Sequence, residues 1–351
     1  RRLCAAQSDE GEEMTASRYA EETAKRGVYL VAEAGSNHNG SLREAKRLVS
    51  LAAEHGADAV KFQLFRVETL IQPSILGGML GLKEGWTDGV RKLEFQLSWL
   101  PVLKRLADRA GIDFLCTPFD EVRLAALLAV SPPAIKIASG DITHHGLLRK
   151  TAQSGLPVIL STGASTEEEI REAVAITGYD KTALLQCVMR YPAHGSSYSP
   201  DTLRMLAKYA PVVGISDHTE GCLVAARAIG AGALIVERHF TRRRSQKGAD
   251  HAMSTEPAGL ARLKEILLES LRMRMEGPTA AGDDNERVYA RRGLYCRVSI
   301  RAGEEFSEGN CIALRPVGKD CIPASEYERL SGRPARRSYM AGDPLSPEEL
   351  A

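Results

Sequence analysis

One arrangement repeats along most of this sequence: a short run of β-branched and other apolar residues, a polar turn, and an amphipathic helical stretch. The repeat extends from about residue 28 to residue 275 and contains eight strand candidates. The predicted strands are residues 29–34, 59–64, 113–117, 134–139, 158–161, 183–188, 212–216 and 234–239. Because every parallel crossover requires a connection such as a helix, eight β/α units of this size predict a closed (β/α)₈ TIM barrel.

The segments between the strands have apolar residues every three to four positions, which predicts helices with one buried face. The clearest predicted helices are residues 42–54, 95–110, 166–177 and 221–229. A doubly wound open sheet is the alternative, and such a sheet often has a glycine-rich dinucleotide turn after its first strand. The corresponding segment here is GSNHNG at residues 35–40, which lacks that pattern and therefore favours the barrel.

The composition changes after the barrel segment, so the chain is predicted to have four parts. Residues 1–27 are an N-terminal extension, 28–276 the barrel, 277–290 a linker rich in Pro, Ala, Gly and Asp, and 291–351 a small β-rich domain. The start of the chain is polar and acidic, unlike a signal peptide, and Met14 is a candidate for the true first residue. No apolar run is long enough to span a bilayer.

Charge and cysteine content limit the classes of partner. Lys and Arg number 46 against 45 for Asp and Glu, so the net charge favours neither nucleic acid nor a membrane surface, and a small-molecule substrate is expected. The seven cysteines are scattered and include no CxxC pair, which argues against a disulfide framework and a zinc ribbon. This usage fits a reducing, cytoplasmic setting.

Polar side chains stand at the carboxyl end of every predicted strand, where barrels of this kind build their active sites. Any one of them is equally well explained as a strand cap, but eight strands with such ends indicate a functional site. These residues are Glu33, Lys61, Gln63, Thr117, Lys136, Ser139, Ser161, Thr162, Gln186, Tyr191, Asp217, His218, Glu237 and His239.

Lys61 and Lys136 lie within apolar strands, where an unpaired charge is costly. This placement predicts that they bind a phosphate or carboxylate, with Ser139, Ser161 and Thr162 as further donors. The turn at Ser161 and Thr162 also precedes a helix, whose first N–H groups suit a phosphate. Either lysine could instead form a Schiff base, because burial lowers the pKa of an ammonium group, so a lysine-type aldolase stays open as an alternative.

His218 and His239 end neighbouring strands, which predicts that their imidazoles converge on one metal ion. Asp217 and Glu237 stand beside them and strengthen this prediction. Imidazole with carboxylate or water ligands, and without thiolate, favours Mn²⁺, Co²⁺, Fe²⁺ or Mg²⁺ over structural zinc.

Other histidines and cysteines give weaker signals. His38, in the loop after the first strand, either faces the site or caps a turn. His144 and His145 are interpreted as surface residues. Cys116 and Cys187 lie inside predicted strands and are interpreted as small core residues.

Six segments resemble the sialic-acid synthases, which condense phosphoenolpyruvate with N-acetylmannosamine or a related sugar. They are AEAGSNHNG at 32–40, ADAVKFQ at 57–63, KIASG at 136–140, LSTG at 160–163, SDHT at 216–219 and ERHFT at 237–241. Arg315-Pro316 and residues 327–332 look like the antifreeze-like (SAF) domain of those synthases. The resemblance covers nearly the whole chain from residue 28 and implies a transferase with a TIM barrel and a SAF domain.

The resemblance implies a role for most of the strand-end residues. Glu33 would handle the proton of a water molecule, and His218 and His239 would hold a divalent ion, typically Mn²⁺, that polarises the sugar aldehyde. The residues implied to bind phosphoenolpyruvate are Lys61, Thr117, Lys136, Ser139 and Ser161. The residues implied to contact the sugar are Gln63, Asp141, Tyr191, Asp250 and Arg315.

The resemblance also implies a reaction and an assembly. The methylene carbon of the enol phosphate would attack the sugar aldehyde, water would add to the cationic carbon left behind, and phosphate would leave by C–O cleavage. Arg315 matches an arginine that, in this family, reaches over the active site of the other subunit. A domain-swapped homodimer with composite sites follows from that match.

Three departures from the family pattern leave the acceptor sugar open. Asp141 replaces a common glutamate, Met189 followed by Arg190 replaces a small polar residue, and residues 317–321 replace a shorter turn. N-acetylmannosamine and the 2,4-diacetamido-trideoxy sugars of legionaminate-type or pseudaminate-type synthases remain the candidates. A non-catalytic sugar-binding or ice-binding protein, led by the tail domain, is the alternative of a different class.

Overall fold

A computed structural model describes residues 27–276 and 284–351. The chain divides into two compact units between Met275 and Glu276. All but the last residue of the predicted N-terminal extension, and residues 277–283 of the predicted linker, lie outside the described residues. Residues 284–290, predicted as the end of that linker, instead form a helix. The segment DNERVYA contains neither Pro nor Gly, so the composition typical of a linker ends before it.

Eight parallel strands form the first unit, as predicted. They are β1 Tyr29–Gly35, β2 Ala59–Leu64, β3 Asp113–Pro118, β4 Ile135–Ile137, β5 Val158–Ser161, β6 Thr182–Cys187, β7 Val212–Asp217 and β8 Ile235–His239. Their order in the sheet is β3-β2-β1-β8-β7-β6-β5-β4, and β3 packs beside β4 to close the ring. The (β/α)₈ barrel is therefore confirmed, and the doubly wound alternative is wrong.

Helices connect the strands, and an apolar core lies between the two layers. The helices are α1 Leu42–Glu54, α2 Val67–Leu70, α3 Pro73–Leu80, α4 Thr87–Arg91, α5 Leu100–Ala110, α6 Glu121–Leu128, α7 His145–Gln153, α8 Glu167–Thr177, α9 Pro200–Leu206, α10 Leu223–Gly230 and α11 Pro257–Glu276. Helix α5 begins at Leu100 rather than at residue 95, because Pro101 has no N–H and suits a first turn. Within the described ranges, no helix is long and apolar enough to cross a membrane.

Strand side chains alternate between the helix layer and the barrel interior, as the two-residue period of a strand requires. In β1, Tyr29 and Val31 belong to the apolar core inside the barrel, whereas Leu30 belongs to the core under the helices. Glu33 is the next residue on the inward face, so the interior becomes polar near the carboxyl ends of the strands. Gly214 lies in the apolar part, where a Cβ atom would lie 2.3 Å from the carbonyl oxygen of Ile235.

The second unit is small and is built from short elements. They are α12 Asp284–Ala290, β9 Gly293–Cys296, β10 Cys311–Leu314 and α13 Tyr327–Leu330. Strands β9 and β10 pair antiparallel, and further bridges join Tyr295 to Pro344 and Ile300 to Tyr339. Its own apolar core includes Phe306. The predicted antifreeze-like character of this unit stays a prediction.

Candidate active site

A pocket of about 110 Å³ opens at the carboxyl ends of the barrel strands. The resemblance to the synthases assigns a role to thirteen residues. Ten of them line this pocket: Glu33, Lys61, Gln63, Thr117, Lys136, Ser139, Ser161, Tyr191, His218 and His239. Because parallel strands in a barrel all end at the same face, residues more than 200 positions apart in sequence meet in this pocket. The position predicted for the site is thus the position of the pocket.

Lys61 is held by two carboxylates at the floor of the pocket. Its Nζ atom lies 2.5 Å from Glu33 Oε2 and 3.7 Å from Glu237 Oε2, and it donates to Thr117 Oγ1 at 3.2 Å. Burial lowers the pKa of Lys61, but the charges of Glu237 and Glu33 outweigh burial and raise that pKa above its ordinary value. The sequence predicted that an anionic ligand would compensate the charge of Lys61. In the structure this charge is already paired with carboxylates of the protein.

Lys136 is the lysine whose charge is not paired in this way. It is 2% exposed, and its Nζ atom donates to the carbonyl oxygen of Ile137 at 2.8 Å and to Ser161 Oγ at 2.6 Å. No ion pair to Lys136 is found within residues 27–276 and 284–351, and burial lowers its pKa. A buried cation with these neutral oxygens as its partners favours binding of an anion, because the anion would compensate its charge.

Two hydroxyl groups extend the binding surface around this lysine. Ser161 ends β5, and Ser139 follows β4 and accepts a hydrogen bond from the Gly163 N–H group at 2.9 Å. That bond occupies a lone pair of Ser139 Oγ, and the Ser139 hydroxyl also forms a hydrogen bond with the side chain of Cys187, from which a ligand could take it over. The ammonium and the two hydroxyls thus form a compact set of donors.

The carboxylate of Glu33 is fixed at both oxygens. Gln63 Nε2 donates to Glu33 Oε1 at 2.9 Å, while Oε2 faces Lys61. The carboxylate therefore cannot turn without breaking a buried interaction, so it presents a fixed acceptor to the pocket.

His218 and His239 follow neighbouring strands, and their ring centroids are 5.4 Å apart. His218 Nδ1 lies 2.7 Å from the carbonyl oxygen of Val188, which can only accept, so Nδ1 carries the proton, and the lone pair of Nε2 is near Ser216 Oγ at 3.4 Å. The Nδ1 atom of His239 is buried without a hydrogen-bond partner. Burial and, secondly, the nearby His239 lower the pKa of His218 to about 4, which keeps it neutral near pH 7.

These two imidazoles fit a divalent ion, since the ring of His218 is oriented by its bond to Val188. No group of three or more His, Cys, Asp and Glu side chains with metal-binding geometry occurs in the described part of the chain. An ion at this pair would therefore take its remaining ligands from water and substrate.

Asp217 was predicted beside the metal, and this prediction is wrong. It pairs with Arg238 and accepts hydrogen bonds from the N–H and hydroxyl of Thr219. The two-residue period of β7 turns Asp217 to the opposite side from Ser216 and His218. Glu237 does face the pocket and accepts a bond from Ser216 Oγ at 3.2 Å.

The aromatic ring of Tyr191 covers the histidine pair. Its centroid lies 4.2 Å from that of His218 and 5.7 Å from that of His239. Burial raises the pKa of Tyr191, so its hydroxyl stays protonated and can donate to a ligand. Tyr191 is thus placed at the mouth of the pocket, next to the proposed metal ligands.

Three predicted sugar contacts do not line the pocket. Asp141 follows the lining residue Gly140; burial raises its pKa to about 6, and its Oδ2 atom has no hydrogen-bond partner. Asp250 accepts from Ser36 Oγ at 3.0 Å beside the end of β1. Arg315 is an exposed residue of the second unit, and its predicted reach to another subunit stays a prediction.

The pocket also contains residues that the sequence did not identify as site residues. They are Phe119, Ala138, Gly140, Cys187 and Ser216. Glu237, predicted beside the histidine pair, and Met189, predicted to affect the choice of sugar, line the pocket as well. Cys187 was predicted in the core, but its side chain is half-buried at the pocket wall. The alternation of Ala183, Leu185 and Cys187 along β6 is the signal that could have placed it there.

Several other predicted positions lie away from the pocket. His38 accepts from the Gly40 N–H at 3.0 Å and packs edge-on against Trp99, so the turn-capping alternative is right. His144 is exposed and caps α7, which confirms its surface interpretation. Thr162 donates to the carbonyl oxygen of Leu185 and is not among the donors of the pocket, contrary to prediction.

Comparison with known proteins agrees with this geometry. The chain matches the model of the NeuB family over residues 48–275. It is 34% identical to N,N'-diacetyllegionaminic acid synthase of Legionella pneumophila, over 92% of this chain and 94% of that protein. It is 31% identical to pseudaminic acid synthase of Helicobacter pylori, over 92% and 97% of the two chains.

Among solved structures, the chain is similar to N-acetylneuraminic acid (sialic acid) synthetase from Leptospira borgpetersenii. The TM-score is 0.65 and the identity 33%, with 74% of this chain and 89% of that chain covered. The family model covers well over half of this sequence, and the aligned relatives span nearly all of it. The chain therefore belongs to the NeuB family.

Proposed function

We propose that this protein is a nonulosonic-acid synthase that condenses phosphoenolpyruvate with an amino sugar and releases phosphate by C–O cleavage. The observation that carries the proposal is Lys136, a buried cation whose hydrogen bonds, within the described part of the chain, go to two neutral oxygens at the mouth of the barrel. Membership of the NeuB family and the names of the relatives support the same reaction.

In this proposal phosphoenolpyruvate lies against the donors on β2 to β5. Lys136, Ser139 and Ser161 bind one anionic group of the substrate, and Lys61 with Thr117 binds the other. Lys61 keeps its charge in the free enzyme because Glu33 lies 2.5 Å away. Glu33 also accepts the proton of the water that adds to the cationic carbon, in a general-base role.

The sugar lies on the opposite side of the pocket, beside the histidine pair. His218 and His239 would hold a divalent ion, Mn²⁺ with Co²⁺ or Mg²⁺ as alternatives, which when bound supplies Lewis-acid polarisation of the sugar aldehyde. Tyr191 and Gln63 orient the sugar from the pocket wall. Asp141 after β4 and Asp250 after β8 are proposed as outer contacts of the sugar, and Arg315 after β10 is proposed to reach the sugar from the other subunit of the dimer.

A 2,4-diacetamido-trideoxy sugar is the acceptor that Met189 favours. This side chain is 53% exposed, lines the pocket and packs over Gly163, where a Cβ atom would lie 2.9 Å from Met189 Cγ. A thioether offers an apolar contact to a deoxy carbon or an acetamido methyl and no hydrogen bond to a hydroxyl. N-acetylmannosamine remains the alternative acceptor.

The proposal includes a homodimer, an antifreeze-like tail unit and a cytoplasmic location. Support for the location comes from the cysteines, since Cys116, Cys187, Cys222, Cys296, Cys311 and Cys321 are all free thiols. Size-exclusion chromatography with light scattering tests the dimer, and a monomeric mass would contradict it.

A phosphate-release assay tests the reaction. The enzyme is given phosphoenolpyruvate with N-acetylmannosamine, mannose, 2,4-diacetamido-trideoxy sugars or their phosphates, each with Mn²⁺. We expect sugar-dependent release, highest with a diacetamido sugar. If none of these sugars stimulates phosphate release, the protein is not a synthase of this kind, and a non-catalytic sugar-binding protein is favoured.

A Schiff-base aldolase is the second candidate, since a lowered pKa of Lys136 also suits an amine nucleophile. Borohydride reduction in the presence of pyruvate separates the two chemistries. An adduct on Lys136 or Lys61 would support the aldolase, whereas an unmodified protein with metal-dependent phosphate release supports the synthase.

A further inference from the structure

Cys296 and Cys311 lie directly opposite each other in the β9–β10 ladder. The Arg297 N–H donates to the carbonyl oxygen of Asn310 at 2.7 Å, while the Cys296 N–H donates away from β10 to Asp343 at 2.9 Å. The two cysteines are therefore a non-hydrogen-bonded pair of an antiparallel ladder. Such pairs have Cα atoms about 4.5 Å apart, closer than hydrogen-bonded pairs.

Both side chains point to the same face of the ladder. Cys296 is 2% exposed and Cys311 is 4% exposed, and both belong to the apolar core of the second unit with Phe306. A disulfide requires Cα atoms about 4.4 to 6.8 Å apart with Cβ atoms on facing sides. The usual separation of a non-hydrogen-bonded pair falls within this range, so the pairing of Cys296 with Cys311 suits a disulfide without a change of register, and both residues are free thiols.

Cys311 borders an open cavity, although only 4% of the residue is exposed. This cavity has a volume of about 480 Å³, and its wall also includes Arg292, Arg297, Glu308 and Tyr327. The two arginines are exposed, and their guanidinium groups favour a ligand that carries carboxylates. Of the two cysteines, Cys311 borders this cavity and Cys296 does not, so we expect an anionic oxidant to react first with Cys311.

We propose that Cys296 and Cys311 are a redox-active dithiol that anionic small-molecule disulfides oxidise. The Cys311 sulfur attacks one sulfur of the oxidant, its S–S bond breaks, and one small thiol leaves. The Cys296 sulfur then attacks Cys311, which breaks the mixed disulfide and releases the second small thiol. The protein loses two protons and two electrons, and the oxidant gains them.

Burial makes this exchange slow. It raises the pKa of Cys296 to about 12 and also raises the pKa of Cys311, so both groups are protonated near neutral pH. The test must therefore follow the reaction to equilibrium. The pair uses no residue of the barrel pocket, so this inference does not depend on the proposed function.

The third cysteine of this unit provides a matched control. Cys321 is also buried, and its Sγ atom donates to the carbonyl oxygen of Leu294 at 3.3 Å, just as Cys311 Sγ donates to Asn310 Oδ1 at 3.3 Å. Cys321 differs from the pair because it lies outside the β9–β10 ladder and does not face a cysteine there. If burial in the second unit were sufficient, Cys321 would react as readily as the pair.

The experiment incubates the full-length protein with oxidised glutathione until the free-thiol content is constant, then alkylates, digests and maps the peptides by mass spectrometry. We expect one crosslink, Cys296 to Cys311, with two thiols lost and both recovered by dithiothreitol. The Cys321→Ala variant should give the same crosslink. The Cys296→Ala variant should stop at a glutathione adduct on Cys311.

Mapping of the unsubstituted protein decides the proposal even if a variant fails to fold. No crosslink at equilibrium, or a crosslink that involves Cys321 instead, would overturn it.

Discussion

Lys136 Nζ lies 2.6 Å from Ser161 Oγ, and both atoms face the same pocket from neighbouring strands β4 and β5. Among the residues that the structure describes, no carboxylate forms an ion pair with this buried cation, although the charge of Glu237 acts on it from further away. Such an arrangement lowers stability, and proteins retain it where a ligand supplies the missing charge. The proposed function rests on this relationship.

Lys136→Met should therefore separate binding from folding. Because methionine fills a similar volume without a charge, we expect unchanged or higher stability in urea unfolding. The loss of charge-assisted bonds worth about 1.5 to 3 kcal/mol predicts a fall of about 10- to 100-fold in kcat/KM for phosphoenolpyruvate. Lys150→Met is the control, since Lys150 pairs with Glu121 on the surface. Equal effects of the two changes would contradict the role of Lys136.

Glu33→Gln should affect both stability and rate. It removes the nearer of the two carboxylates that pair with Lys61 and leaves Glu237, whose Oε2 atom lies 3.7 Å from Lys61 Nζ. Because the remaining ion pair is longer, we expect the free energy of unfolding in urea to fall by about 1 to 3 kcal/mol. The loss of the proposed base should lower kcat by about 100-fold or more. Glu121→Gln, on the surface, should change stability by less than about 1 kcal/mol. A kcat of the Glu33→Gln variant equal to that of the unsubstituted protein would show that Glu33 is not the general base.

His218→Ala should abolish stoichiometric binding of Mn²⁺, because one imidazole alone is a weak site. The measurement is electron paramagnetic resonance of free Mn²⁺ during titration of the purified, EDTA-treated protein, which needs no activity. His145→Ala, a half-buried residue of α7, should bind Mn²⁺ as the unsubstituted protein does. Stoichiometric binding by His218→Ala would exclude the proposed site.

Asp141→Asn should change how stability depends on pH. Burial raises the pKa of Asp141 from 3.8 to about 6, so the folded protein favours its protonated form. The unsubstituted protein therefore loses stability as the pH rises from about 4 through about 6, where this carboxyl ionises in the folded state. Asparagine carries no such cost, so the variant should gain relative stability over that window and keep it above.

Urea unfolding at several pH values between about 4 and 7 measures this difference. Asp201→Asn is the control, because Asp201 is highly exposed on α9. A stability difference for Asp141→Asn that does not change with pH would show that the carboxyl is not perturbed.

The sequence predicted the barrel and most of the pocket because both depend on local periodicity. Strand alternation determines which of Glu237 and Arg238 faces inward, and the common end of the strands brings Lys61 and His218 together. The same rule, applied to β7, would have placed Asp217 outside the pocket. Asp217 is adjacent to His218 in sequence, but neighbours along a strand point to opposite faces, so Asp217 pairs with Arg238 instead.

The structures of the loops and the pairing of charged side chains could not be predicted from the sequence. Helices α2 to α4 lie between β2 and α5, in a segment whose paired glycines and short apolar runs give no clear period. Phe119 and Met189 lie beyond strand ends, so alternation does not place them. The ion pair between Lys61 and Glu33 depends on the geometry of side chains on two neighbouring strands. The pattern of residues along one strand does not give that geometry.

The central claim is that this NeuB-family protein joins phosphoenolpyruvate to an amino sugar and breaks the C–O bond of the phosphate ester. The most direct test uses phosphoenolpyruvate labelled with ¹⁸O at the bridging oxygen, together with the best sugar of the panel. Mass spectrometry of the products should find the label in the released phosphate and none in the sugar acid. Label retained in the sugar acid, or no sugar-dependent phosphate at all, would contradict the account.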